Sequence, residues 1–189
     1  MKNSESMKSW LSCVCALAIA FAAKADARKM AASEDVQEDE WAHYGHDAGG
    51  MRYSPLAQIN RENVVSLKVA WTFHTGDISD GKGGRKRSGF ESTPLMVEST
   101  LYVTTPFNRV IALDPETGAQ RWAYDPKIAL DGDYGDGLVN RGVSTWLDAA
   151  RPAGQPCRRR IFEVTQDARL VALTPQPAHH APISVRLAK

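Results

Sequence analysis

Cysteine is scarce. The 189 residues hold three, too few for a disulfide scaffold. No Cys-x-x-Cys-His occurs, so no c-type haem is attached. No apolar run reaches the roughly 18 residues that a membrane-spanning helix needs. Neither sign of charge dominates. Lys and Arg number 23, Asp and Glu 22, and the net charge is +1, which excludes an electrostatic nucleic-acid binder. The 14 Gly and 10 Pro are ordinary counts, so collagen-like and low-complexity classes are excluded too. The length suits one domain, or one and a half. Function has to come from pattern.

Residues 1–25 have the form of an export signal. Lys2 and Lys8 give a positive start, Leu11 to Ala23 is largely apolar, and Ala23-Lys24-Ala25 is a small-x-small cleavage site. Removal of this segment takes Cys13 and Cys15 with it and leaves Cys157 alone. That thiol is then buried, or half of a disulfide whose partner lies elsewhere. No transmembrane segment is expected in the mature chain. Residues 26–40 are acidic and aperiodic, the composition of a flexible leader.

The body is β-patterned. Leu67, Val69, Trp71 and Phe73 alternate on one face, which predicts a strand over 67–73. Lys82, Arg85, Lys86 and Arg87 lie among glycines. They read as a solvated loop, since a nucleic-acid patch would interleave aromatics. Further on, 101–105 and 109–113 are β-prone, 114–118 is a turn, and 119–124 is a return strand. Pro115 presets φ, the Asp114 carboxylate caps the turn, and Gly118 can take positive φ. The Asp-rich run 131–137 reads as an acidic loop, because the twelfth place of a helix-loop-helix calcium site is Gly142 instead of Glu. His43, His46, His179 and His180 lack a third partner at ligand spacing.

A shift of sixty residues reproduces the pattern. Ile161-Phe162 falls over Leu101-Tyr102, Arg169 over Arg109, Leu170 to Leu173 over Val110 to Leu113, and Pro175 over Pro115. Trp71 and Trp122 stand fifty-one residues apart. Short strands repeating at such a period point to a β-propeller, whose blades cannot bury both faces alone. The two Trp residues are then wedges between blades, not catalytic groups.

Ala112 to Trp122, with the order Leu-Asp-Pro-Glu-Thr-Gly and a closing Trp, resembles the tryptophan-docking repeat of quinoprotein dehydrogenases, enzymes that use pyrroloquinoline quinone (PQQ). Tyr44 to Leu56 is similar to that family's opening segment. Phe90 to Leu95 and Val139 to Ser144 resemble two cofactor-side motifs. The resemblance covers about residues 41–174 and identifies the chain as the N-terminal part of such an enzyme. It implies an all-β fold, an eight-bladed propeller with PQQ near the axis, stacked on a Trp beside a calcium ion. It implies an Asp base and hydride transfer from a sugar, polyol or alcohol carbon to PQQ. A quinone or cytochrome then takes the electrons. By motif match, Glu91 and Arg141 contact PQQ. A guanidinium can bind the cofactor's carboxylates and quinone oxygens with paired donors. The bland alternative for both residues is an ion pair between blades.

The alcohol-oxidising branch carries two adjacent cysteines where this chain has Gly135 and Asp136. The glucose-dehydrogenase-like branch is therefore expected, in a periplasmic form. The family's stacking Trp, calcium ligands and base Asp have no counterpart here, so no catalytic residue and no metal ligand is assigned. Eight blades need roughly 480 residues, and this chain supplies about two to three blades over 41–175. After Leu173 the repeat breaks, and 176–189 reads as a divergent tail without strand alternation, out of frame through a frameshift or truncation. The chain alone is expected to be inactive. The competing reading is a propeller scaffold that holds other proteins and has no use for Glu91 or Asn140-Arg141-Gly142.

Overall fold

The computed structural model describes residues 40–175 and 183–186. The expected export signal and nearly all of the expected leader lie outside the described residues, as does most of the tail. Among the described residues no helix is long and apolar enough to cross a membrane.

Period-two alternation builds two antiparallel sheets. The first is β1 (Leu95–Val97), β2 (Thr100–Thr104), β3 (Val110–Leu113) and β4 (Gln120–Tyr124), hydrogen-bonded in chain order. The second is β5 (Ser144–Leu147), β6 (Arg159–Val164), β7 (Arg169–Leu173) and β8 (Ile183–Arg186), again in chain order. The all-β class is as expected, and the molecule is a partial, unclosed propeller.

The sixty-residue repeat is kept to the residue in the strand register. Leu101 faces Leu113 as Ile161 faces Leu173, and Thr104 faces Val110 as Val164 faces Leu170. The connecting turns match as well. The Thr105 N–H donates to the Arg109 carbonyl at 2.9 Å, and the Thr165 N–H to the Arg169 carbonyl at 2.9 Å.

The core lies between the two sheets. The first offers Leu95, Tyr102, Val110 and Ala112, flanked by Trp122 and Tyr124, and the second offers Ile161, Val171 and Leu173. These are opposite faces of the repeat, since Tyr102 corresponds to Phe162 and not to Ile161. The sheets therefore stack face to back, as propeller blades do. Such stacking leaves one apolar face over at an end. Trp146, Val164, Ile183 and Val185 of the second sheet are each about half exposed.

The Trp wedges sit as expected. The Trp122 indole N–H donates to the Pro175 carbonyl at 2.8 Å, and the Trp71 indole to that of Pro115 at 3.0 Å. Each Trp thus reaches the β3–β4-type turn of the next unit. Gly118 in that turn has φ +71°, and a Cβ there would stand 2.5 Å from the Trp71 ring. Asp114 caps the turn, its Oδ1 accepting from the Glu116 and Thr117 N–H groups at 3.1 and 3.0 Å. Its Oδ2 accepts from Arg121 Nη2 at 2.8 Å. The Arg121 bond, then those from Thr117, hold the Asp114 carboxyl down at about 2.

Two local expectations differ from the structure. Residues 67–73 form no strand; Leu67 and Val69 are exposed, and no strand pairs with them among the described residues. Alternation fixes a face, but a ladder also needs a neighbouring strand. The tail, in turn, contains a strand. Ile183 to Arg186 alternate apolar and polar, and they add to the free edge of β7.

Candidate cofactor site

The chain segments that precede β1 and β5 run side by side on one end of the two sheets. Ser88 and Leu138 form a parallel bridge. The Gly89 N–H donates to the Leu138 carbonyl at 3.0 Å, and the Thr93 N–H to the Arg141 carbonyl at 3.1 Å. Gly142 permits this approach. Its φ is +125°, and a Cβ would meet the Thr93 carbonyl oxygen at 2.8 Å.

This pairing brings the two expected site residues together. Arg141 Nη2 lies 3.1 Å from Glu91 Oε2, with the side chains 74% and 45% exposed. The ion pair therefore does span the two sheets. At that exposure it adds at most about 1 kcal/mol to stability, so holding the blades together is a small part of what it can do. The guanidinium has no other protein partner among the described residues, which leaves donors available to an anionic ligand.

A cleft of about 750 Å³ opens beside Arg141, lined among others by Tyr134, Asp136, Asn140, Phe162 and Gln166. A buried polar seam fixes its floor. Asn108, in the β2–β3 turn, donates from Nδ2 to the Val139 carbonyl at 3.2 Å. Its Oδ1 accepts the Gln166 N–H at 2.7 Å. The first sheet thus holds both cleft-bearing segments of the second. The Asp-rich run, expected as an acidic loop, is more than that: Asp133 to Asp136 form one wall. The signal for it was the place of Gly135 and Asp136 in the family's cysteine pair. Asn140 lies in the Asn-Arg-Gly motif, but its bond to a second segment has no sequence signal, and Gln166 has none at all, because both depend on contacts across the sheets.

Residues away from the cleft take structural places. His46 packs edge-on against Trp41, ring centroids 4.8 Å apart. Arg159 Nε reaches Glu98 Oε1 of the β1–β2 turn at 3.2 Å, a contact between blades. Cys157 is a half-buried free thiol. Among the described residues no three His, Cys, Asp or Glu side chains converge on a point that could hold a metal ion.

Stacked four-stranded sheets with a polar cleft at their junction define a segment of a β-propeller. Residues 41–179 match the family described as PQQ: Glucose/ethanol/alcohol dehydrogenase, beta-propeller domain. The chain belongs to that family. It is 37% identical over 150 residues to quinoprotein glucose dehydrogenase A of Acinetobacter calcoaceticus, a match covering 73% of this chain and 18% of that protein. To the dehydrogenase subunit of the alcohol dehydrogenase (quinone) of Gluconobacter oxydans (strain 621H) it is 34% identical over 177 residues, covering 88% and 20%. A europium-containing methanol dehydrogenase superposes with a TM-score of 0.60 at 28% identity, covering 81% of this chain and 24% of that one. The chain spans about a fifth of the length of the curated relatives it matches.

PQQ is the cofactor that this family implies, and the donor set fits one side of it. The cofactor is an anionic, planar quinone. Arg141 offers paired N–H donors at the mouth of a cleft, and Phe162 and Gln166 line the wall beside it.

Proposed function

We propose that this chain supplies two blades and one wall of the cofactor seat of a PQQ-dependent dehydrogenase. The substrate class is a sugar, polyol or alcohol. When bound, PQQ supplies the quinone that accepts a hydride from the substrate carbon. Arg141 binds a carboxylate or quinone oxygen of the cofactor through paired donors. Glu91 holds the guanidinium at the mouth of the cleft. The observation that carries this reading is the exposed Arg141–Glu91 pair beside a cleft at the blade junction.

The export-signal pattern of residues 1–25 supports a periplasmic location. A quinone or a cytochrome is the electron acceptor by the same reading, and one relative's name carries the word quinone. Gly135 and Asp136, standing on the cleft wall in place of paired cysteines, support a sugar or polyol over a simple alcohol. Calcium enters by family likeness.

Titration of the full chain with PQQ, followed by Trp fluorescence, tests the seat. Weak saturable quenching is expected. R141A should weaken it about tenfold or more, the worth of a charge-assisted hydrogen bond. Identical titrations of wild type and R141A, or no saturable quenching in either, would refute the seat.

A further inference from the structure

The Asn140–Gly142 turn ends on a buried acid for which the cofactor reading has no use. The Gly142 N–H donates to Asn140 Oδ1 at 2.9 Å. Asn140 Nδ2 donates to Glu163 Oε1 at 3.1 Å. Both ends of that second bond are buried, Asn140 at 8% and Glu163 at 1% exposure. With the Thr93 N–H on the Arg141 carbonyl, the turn is held on both sides. The Arg141 side chain is its exposed part, paired with Glu91.

Glu163 stands on the face of β6 that packs on the first sheet, next to Ile161, where an aliphatic residue would fill the space without a polar atom to desolvate. Among the described residues no cation forms an ion pair with it. Arg169, the charge that bears on it most, gives Nε to Asp167 at 2.8 and 3.0 Å and Nη2 to the Pro126 carbonyl at 2.8 Å. Glu163 Oε2 finds no hydrogen-bond partner among the described residues. Among the described residues the one hydrogen bond of the Glu163 side chain is the one from Asn140. An acceptor at that point keeps the Asn140 amide from being stranded, and a stranded buried amide is costly.

We propose that Glu163 is a positioning residue of the cofactor seat. Its Oε1 fixes the Asn140 amide, Asn140 Oδ1 fixes the Gly142 N–H, and the turn so held carries the Arg141 guanidinium beside Glu91. The link to the cofactor rests on the reading of Arg141 given above; the relay itself stands without it. Burial pushes the Glu163 carboxyl up to about 8, against the opposing pull of Arg169 and Asn140. The groups that face it are Asn140 before β5, Tyr124 on β4, Asp167 in the β6–β7 turn and Arg169 on β7. As a neutral acid it still presents an oxygen to Asn140.

NMR of the full chain without cofactor tests the relay through the Asn140 side-chain amide and the Gly142 backbone amide. In the wild type both resonances should shift with a midpoint near 8. In E163Q, which keeps the oxygen and cannot ionise, the shift should vanish while Gly142 stays protected from hydrogen exchange. E163L removes the acceptor and should lower Gly142 protection about fivefold, the worth of one neutral hydrogen bond, with the Val110 and Ala112 amides unchanged. If E163L does not fold, the comparison of wild type with E163Q decides alone. Equal Gly142 protection in E163L, or the same titration in E163Q as in the wild type, would overturn the relay. A failed cofactor reading shows instead in the PQQ titration, with these amides behaving as stated.

Discussion

Replacing Glu163 by Gln should stabilise the chain, and the gain should grow with pH. Burial raises this carboxyl from its ordinary value of 4.5 to about 8 in the folded chain. Below 4.5 the folded and unfolded chains both hold the proton, so an amide gains nothing over the acid. Between 4.5 and 8 the unfolded chain has lost the proton and the folded chain must take it up again. The wild type therefore loses stability steadily over that window. Above 8 the folded chain carries the buried carboxylate, and the loss levels off. Each unit of difference is worth about 1.4 kcal/mol. The whole window amounts to roughly 5 kcal/mol, and about 3 kcal/mol is already lost at pH 7. Local hydration of the charge makes these upper figures. Urea unfolding of wild type and E163Q at pH 4.5, 7 and 9 reads the difference directly from the midpoints. The m-value should be unchanged, because the exposed surface is the same. A difference that stays constant over the three pH values would show that Glu163 is not a desolvated acid, and the reasoning would fall.

Three further perturbations follow from the blade contacts. G118A places a methyl group 2.5 Å from the Trp71 ring at a φ of +71°, and thermal unfolding should show a loss of about 2–4 kcal/mol; a neutral result would mean that Trp71 is not docked on this turn. Asp77 accepts from Arg109 Nε at 2.7 Å and Nη2 at 2.9 Å, while the same Nη2 holds the Thr75 carbonyl at 2.6 Å. D77A should cost about 2–4 kcal/mol by leaving a half-buried guanidinium unpaired, and D77A/R109M should recover part of it; additive losses in that cycle would contradict the pairing. Glu98 and Ser99, the two-residue loop between β1 and β2, both have positive φ, +48° and +54°. S99G should therefore raise stability by about 0.5–1 kcal/mol, and a fall would mean that the loop is not in this conformation.

The elements most legible in the sequence were those whose cause is local. Asp114, Pro115 and Gly118 specify their turn by side-chain capping, a preset φ and a free αL position, and the turn forms as those three residues dictate. The register of β6 and β7 could be read from β2 and β3 because a repeat that conserves its turn conserves its pairing. Residues 67–73 show the limit. Their alternation is genuine, yet a strand is a relation between two segments, and pattern in one of them is half of the requirement. Glu91 and Arg141 came from motif likeness, and nothing in their fifty-residue separation says that they meet. Their meeting depends on the parallel run of 88–93 beside 138–142, which Gly142 allows by having no side chain.

Sequence alone determined that this chain makes paired short strands with capped turns, repeated at sixty residues, and that Trp71 and Trp122 serve packing. These follow from alternation and turn chemistry, which act over a few bonds. Which face of each sheet meets its neighbour was decided only in three dimensions, because both faces of the repeat are apolar and alternation cannot rank them. The same holds for Glu163. One more polar residue in a strand pattern becomes a buried acid only when the first sheet closes over it and Asn140 arrives from another segment to take its oxygen.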